Sequence, residues 1–119
     1  MLKGVGAGLV AYIILGPTSV SAHYDGNQLL ALCLNKSPDF CLGYIAGIAE
    51  AMEGGPVGPW VACVPPRLTF RQLTDITMQL LNEHPELRHY AAASLVAKAL
   101  SEAFPCPPAP VPLSPGVTK

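Results

Sequence analysis

Cys41-Leu42-Gly43-Tyr44-Ile45-Ala46-Gly47-Ile48-Ala49 decides how the chain is read, because it joins a cross-linkable sulfur, a large apolar face and a face of small residues. The stretch reads as a central helix. Ahead of it, Ser37-Pro38-Asp39 has the order of a helix start: a side-chain oxygen at the cap, proline in the first helical position, and an acid at the positive end of the helix dipole. Gly54-Gly55-Pro56 ends it. Phe40, Tyr44, Ile45, Ile48 and Met52 recur at helical spacing and form a stripe that needs partner helices to cover it. Gly43, Gly47 and Ala51 form a second line. With no side chain to hold a neighbour off, that line is expected to let another backbone approach closely inside the domain, with a homodimer seam as the alternative.

Three further helices are expected around this one. Tyr24-Asp25-Gly26-Asn27 precedes Gln28-Leu29-Leu30-Ala31-Leu32-Cys33, where Asp25 or Asn27 can cap a short helix. At two turns it is too short to persist alone, since isolated helices under ~12 residues are marginal in water. Thr69-Phe70-Arg71-Gln72 is a capping-box pattern that opens a third helix, with Leu73, Ile76, Thr77, Leu80 and Leu81 inward and His84-Pro85 as the break. Ala92, Leu95, Val96, Ala99, Leu100 and Ala103 give a fourth helix its buried side, with Ser94, Lys98, Ser101 and Glu102 outside. Between the second and third helices, residues 54–66 read as a loop rich in glycine and proline that carries the only tryptophan, Trp60.

The chain has 119 residues, 50% of them hydrophobic and 13% charged, a balance that suggests a membrane protein until the distribution is examined. Met1-Leu2-Lys3 supplies a positive start, residues 5–15 an uncharged run, and Val20-Ser21-Ala22 a small-residue cleavage pattern. The run is shorter than the ~20 residues that span a bilayer. Residues 1–22 are therefore expected to be a secretory signal, residues 23–106 one helical domain, and residues 107–119, with five prolines, an extended or disordered tail. Loss of Lys3 with the signal leaves two more acidic than basic side chains, which argues against nucleic acid and anionic membrane surfaces as partners.

A domain this small often needs staples, and export makes disulfides available. Four cysteines allow three pairings. If helices three and four, each about 21 Å long, are antiparallel neighbours, Cys63 just before one lies near Cys106 just after the other. Cys33 and Cys41 are then left to bridge the corner between helices one and two.

Candidate chemistry is sparse. His84, Glu86 and His89 suggest a metal site, but the histidines are five apart with Pro85 between them, so capping or surface roles are expected and no metal or cofactor is assigned. Ser94 and Ser101 lie on a polar helix face without a nucleophile turn, and the Glu50 and Glu53 pair has the look of a solvated face. No enzymatic activity is expected. Trp60 is either an interface anchor or a plug for the core, with Arg67 and Arg71 as a polar rim beside it.

Taken in order, Cys41-Leu42-Gly43-Tyr44-Ile45-Ala46-Gly47, Cys63-Val64-Pro65, Leu68-Thr69-Phe70-Arg71-Gln72-Leu73, His84-Pro85-Glu86 and Ala99-Leu100-Ser101-Glu102-Ala103-Phe104-Pro105-Cys106 resemble the Rap/Tai immunity protein family. The resemblance implies a small, all-α, four-helix periplasmic domain with two disulfides. It also implies a function: binding and sterically blocking a peptidoglycan amidase toxin delivered by type VI secretion, often as a homodimer. The chain departs from the family pattern at Arg67-Leu68, where a glycine and a small β-branched residue are expected, and in the loop around Trp60. A periplasmic acid-stress chaperone and an orphan helical envelope adaptor are the rival readings.

Overall fold

The computed structural model describes residues 23–108; the expected signal segment and all of the tail beyond residue 108 lie outside the described residues. Four α-helices form the domain: α1 (Gly26–Ala31), α2 (Pro38–Gly54), α3 (Phe70–Glu83) and α4 (Ala92–Ala103). Helices α2, α3 and α4 pack against one another, and α1 lies on α4 and α3. The architecture is all-α, as the periodicity predicts, and two disulfides staple it. Cys33 pairs with Cys41 and Cys63 with Cys106.

The starts of α1 and α3 have a local cause. Asp25 and Gln28 form a reciprocal capping box on α1, with Gln28 N–H donating to Asp25 Oδ1 at 2.8 Å and Asp25 N–H donating to Gln28 Oε1 at 2.9 Å. Asp25, rather than Asn27, is therefore the cap. Thr69 and Gln72 repeat the device on α3. The start of α2 differs from the sequence expectation. Pro38 is the first helical residue, but the Ser37 side chain makes no capping hydrogen bond. The preceding residues explain this: Leu32–Lys36 continue α1 as a wide π-helical turn, closed by Ser37 N–H donating to Leu32 O at 3.1 Å. The Cys33–Cys41 bridge spans that turn and fixes the entry to α2.

Leu29, Ile45, Leu81, Val96 and Leu100 are fully buried and form the centre of the core. Thr77 is the one buried polar side chain among the described residues, and its hydroxyl donates to Leu73 O at 3.0 Å, so no polar group is stranded. Two stripes depart from expectation at their ends. Phe40, in the first turn of α2, remains 43% exposed, and Ala103, the last residue of α4, is exposed.

The small-residue line on α2 also falls differently. Gly43, Gly47 and Ala51 are exposed, and a Cβ placed on Gly43 or Gly47 would meet nothing within 4 Å. Close backbone approach occurs instead at Gly26, where an added Cβ would stand 2.5 Å from Leu95 Cδ1 and 2.9 Å from the Arg88 backbone. The reason is a hydrogen-bonded seam. Gly26 N–H donates to Tyr90 O and Asn27 N–H to Arg88 O, each at 3.1 Å, while Ala92 N–H donates to Tyr24 O at 2.7 Å. Gly26→Ala should therefore cost about 1–3 kcal/mol through overpacking. Gly47→Ala, free of contacts, should gain about 1 kcal/mol from helix propensity. Urea unfolding of the two variants checks both signs; a destabilised Gly47→Ala would mean that this face is covered in solution.

Candidate partner-binding surface

The loop from residue 55 to residue 69 is fixed at two points. Its first half turns back on itself, with Val57 and Trp60 exchanging backbone hydrogen bonds at 3.0 and 3.1 Å. Gly58 adopts φ +59°, the left-handed conformation that a tight mirror-image hairpin turn asks of its first central residue. Its second half is tied to the end of α4 by Cys63 N–H donating to Phe104 O at 2.9 Å and by the Cys63–Cys106 disulfide. Ala62 between these points is buried. A loop that composition alone marks as loose is thus held rigidly along α4.

This anchoring sets Trp60 against α4. The indole packs on the rim of the core, and Lys98 Nζ lies 4.8 Å from the ring centroid, a cation–π contact. Lys98 also pairs with Glu102 one helical turn on. Pro59 and Trp60 on one side, Leu87 and Tyr90 on another, and Ala91, Ser94, Leu95 and Lys98 of α4 as the floor enclose an open, mainly apolar groove of about 430 Å³. Tyr90 is 54% exposed at its edge. Trp60 therefore seals the core with part of its ring and lines the groove with the rest. Arg67, in the turn before α3, and Arg71, in its first turn, are both exposed, and neither lines this groove.

Sequence reasoning missed Tyr90, Leu87 and Lys98 as neighbours of Trp60. Lys98 reads as an ordinary outward residue of an amphipathic helix. Only the folded loop shows what lies above it. Tyr90 carries a faint signal, being a large aromatic in the short break between α3 and α4, outside any apolar periodicity.

A second exposed apolar surface lies beside the start of α4, where Ala92 N–H donates to Tyr24 O. The rings of Tyr24, Phe40 and Tyr44 cluster with centroids 5.5–6.1 Å apart, and Leu34 is exposed on the nearby π-helical turn. Burial holds the Tyr44 phenol above the usual 10.0, against the Ala93 backbone N–H, which donates to it at the start of α4, and with a smaller push from Tyr24. The sign follows: the stabilisation tied to the neutral phenol is complete below the unfolded-state value and is lost as pH rises through the higher folded one. A spectrophotometric titration should show the Tyr44 phenol ionising above the ordinary value of 10.0.

The histidines take local roles. His84 Nδ1 lies 2.9 Å from Glu86 Oε1, and that hydrogen bond is the main cause of the Glu86 carboxyl sitting below its ordinary value. The His89 ring packs on Tyr90 at 4.1 Å. Among the described residues, no three His, Cys, Asp or Glu side chains are grouped as a metal ion needs. Nor is any helix among them long and apolar enough to cross a membrane.

Comparison with known proteins adds one finding. Residues 25–106 match the family of Rap1a immunity proteins. No significant match is found among curated proteins or among solved structures.

Proposed function

The chain belongs to the Rap1a immunity protein family, and from that premise we propose that it is a periplasmic immunity protein that binds a peptidoglycan amidase toxin and blocks its cleft by shape. The observation that carries the reading is the extent of the match, which takes in all four helices and both disulfides. Export suits the chemistry, because two structural disulfides form and persist in an oxidising compartment. Residues 1–22 would be the signal that takes the chain there, and residues 23–106 the working domain.

An inhibitor of this kind needs a rigid anchor more than a reactive group. Aromatic side chains on pre-organised loops lose little entropy on docking and dominate many interfaces. Trp60, pinned between α4 and the Cys63–Cys106 bridge, fits that part, with Arg67 and Arg71 as peripheral contacts. The exposed face of α2, with Gly43, Gly47 and Ala51 beside Phe40, is the place for a second copy if the protein works as a homodimer.

Co-expression in the periplasm with candidate amidase toxins, followed by calorimetric titration of the purified pair, tests the proposal. Protection together with tight binding is the expected outcome. An absence of protection against every toxin, with no binding at micromolar concentration, overturns it. Within a productive pair, Trp60→Ala should weaken binding by about 2 kcal/mol or more, roughly thirtyfold. Arg67→Ala and Arg71→Ala should each cost under about 1 kcal/mol, as exposed rim charges do.

A further inference from the structure

The two disulfides are not equally sheltered. Cys41 is 1% exposed and Cys33 packs half-buried against the core, so their bridge lies within the packing of the corner between α1 and α2. Cys63 is exposed and Cys106 half-buried. Both line an open recess of about 470 Å³, with Met52, Gly55, Val61 and Val64 among its other walls. We propose that the Cys63–Cys106 bridge is a site of thiol–disulfide exchange, opened in the folded protein by an external dithiol, and that its opening releases the Trp60 loop from the end of α4. The inference goes beyond the immunity reading and needs no toxin.

Exchange requires a thiolate to reach one sulfur of the bridge, so access governs the rate together with the reagent's own reactivity. The recess supplies that access, and Cys63, the more exposed partner, is the sulfur attacked. A thiolate of the dithiol bonds to Cys63 Sγ, the bond between the two Sγ atoms breaks, and its electron pair leaves on Cys106 Sγ, which takes a proton from water. The second thiolate of the reagent then attacks the reagent's own sulfur in the mixed disulfide. Cys63 leaves and is protonated in turn, and the dithiol ends as a disulfide, having passed two electrons to the protein. Neither cysteine lies within a helix, Cys63 being in the loop and Cys106 beyond the end of α4. Once the bridge is open, the second half of the loop keeps the hydrogen bond from Cys63 N–H to Phe104 O and the burial of Ala62. Trp60, three residues from Cys63, loses its covalent anchor, while the Cys33–Cys41 corner stays locked. An oxidising compartment thus keeps the Trp60 groove assembled, and a dithiol takes it apart.

Trp60, the only tryptophan, reports the release. The oxidised chain from His23 onward is treated with dithiothreitol at about 10 °C, near the temperature at which domains are most stable. Samples are alkylated with iodoacetamide at intervals and mapped by mass spectrometry. Label should appear on Cys63 and Cys106 together, about tenfold or more faster than on Cys33 and Cys41. At that stage the far-ultraviolet circular dichroism should be unchanged, while tryptophan emission shifts to the red and acrylamide quenches it more. Adding urea to about 1 M should alter the labelling rate by less than about twofold, because attack on the folded chain does not wait for unfolding. Labelling of neither pair, labelling of both pairs at one rate, or Cys33 and Cys41 opening first each overturns the proposal. So does helix loss in step with the labelling, or tryptophan emission that stays the same after Cys63 and Cys106 are labelled.

Discussion

Replacing both Cys63 and Cys106 by alanine should remove about 4 kcal/mol of stability, the loop-closure entropy of a bridge between residues 43 apart in sequence. Against a typical 5–15 kcal/mol for a whole domain, that loss leaves the fold marginal or unfolded at 37 °C. The corresponding change at Cys33 and Cys41, only 8 apart, should cost about 2.6 kcal/mol. The larger bridge also carries a local duty. It fixes the second half of the Trp60 loop to the end of α4, so its loss should loosen Trp60 before the helices melt. Denaturant unfolding of the oxidised chain and the two double variants gives the magnitudes, and tryptophan emission at low denaturant reports the loop. A Cys63, Cys106 double variant within about 1 kcal/mol of the parent would show that the helices hold one another without the bridge.

Leu100→Ala should cost about 2–5 kcal/mol, because Leu100 is 0% exposed on α4, which packs against both α2 and α3, and the removed atoms leave a cavity. Phe70→Ala is the informative contrast. Phenylalanine is the larger side chain, but Phe70 is 52% exposed in the first turn of α3, and its loss should be felt by no more than about 1 kcal/mol. Residue type alone ranks these two substitutions in the wrong order; burial reverses it. Chemical unfolding under oxidising conditions decides the matter. A Leu100→Ala variant less damaged than Phe70→Ala would mean that the core centre has been misplaced.

Two exposed surfaces compete for a partner, and their chemistry differs. The Trp60 groove is a hollow with rigid walls, suited to an inserted segment. The α2 face is flatter, with small residues beside the Tyr24, Phe40 and Tyr44 cluster, and suits another helix. Under the proposal above, Trp60→Ala should lower toxin affinity in a titration and Gly47→Leu should alter self-association in sedimentation, each with the other measurement as its control.

The sequence by itself determined the four helices and the capping box of α3, and it narrowed the pairing of the sulfurs. Apolar spacing of three and four residues in α3 and α4 is a local pattern that one core can satisfy in one way, and Asp25 with Gln28 or Thr69 with Gln72 need only each other. The cysteine pairs followed from helix length, which is local, together with an assumed antiparallel packing of α3 and α4. What only the tertiary structure decided was which small residue is crowded and which outward residue has company. Gly26 and Gly47 are alike in sequence, but Gly26 is pressed against the Arg88 backbone and Gly47 faces open space, because the seam between residues 24–27 and 88–92 joins segments more than sixty residues apart. Lys98 sits on a polar helix face by every periodic rule and nevertheless lies over Trp60, since a disulfide far along the chain draws the loop down onto α4. Periodicity records which side of a helix faces the core; it carries no record of what a distant loop lays across the other side.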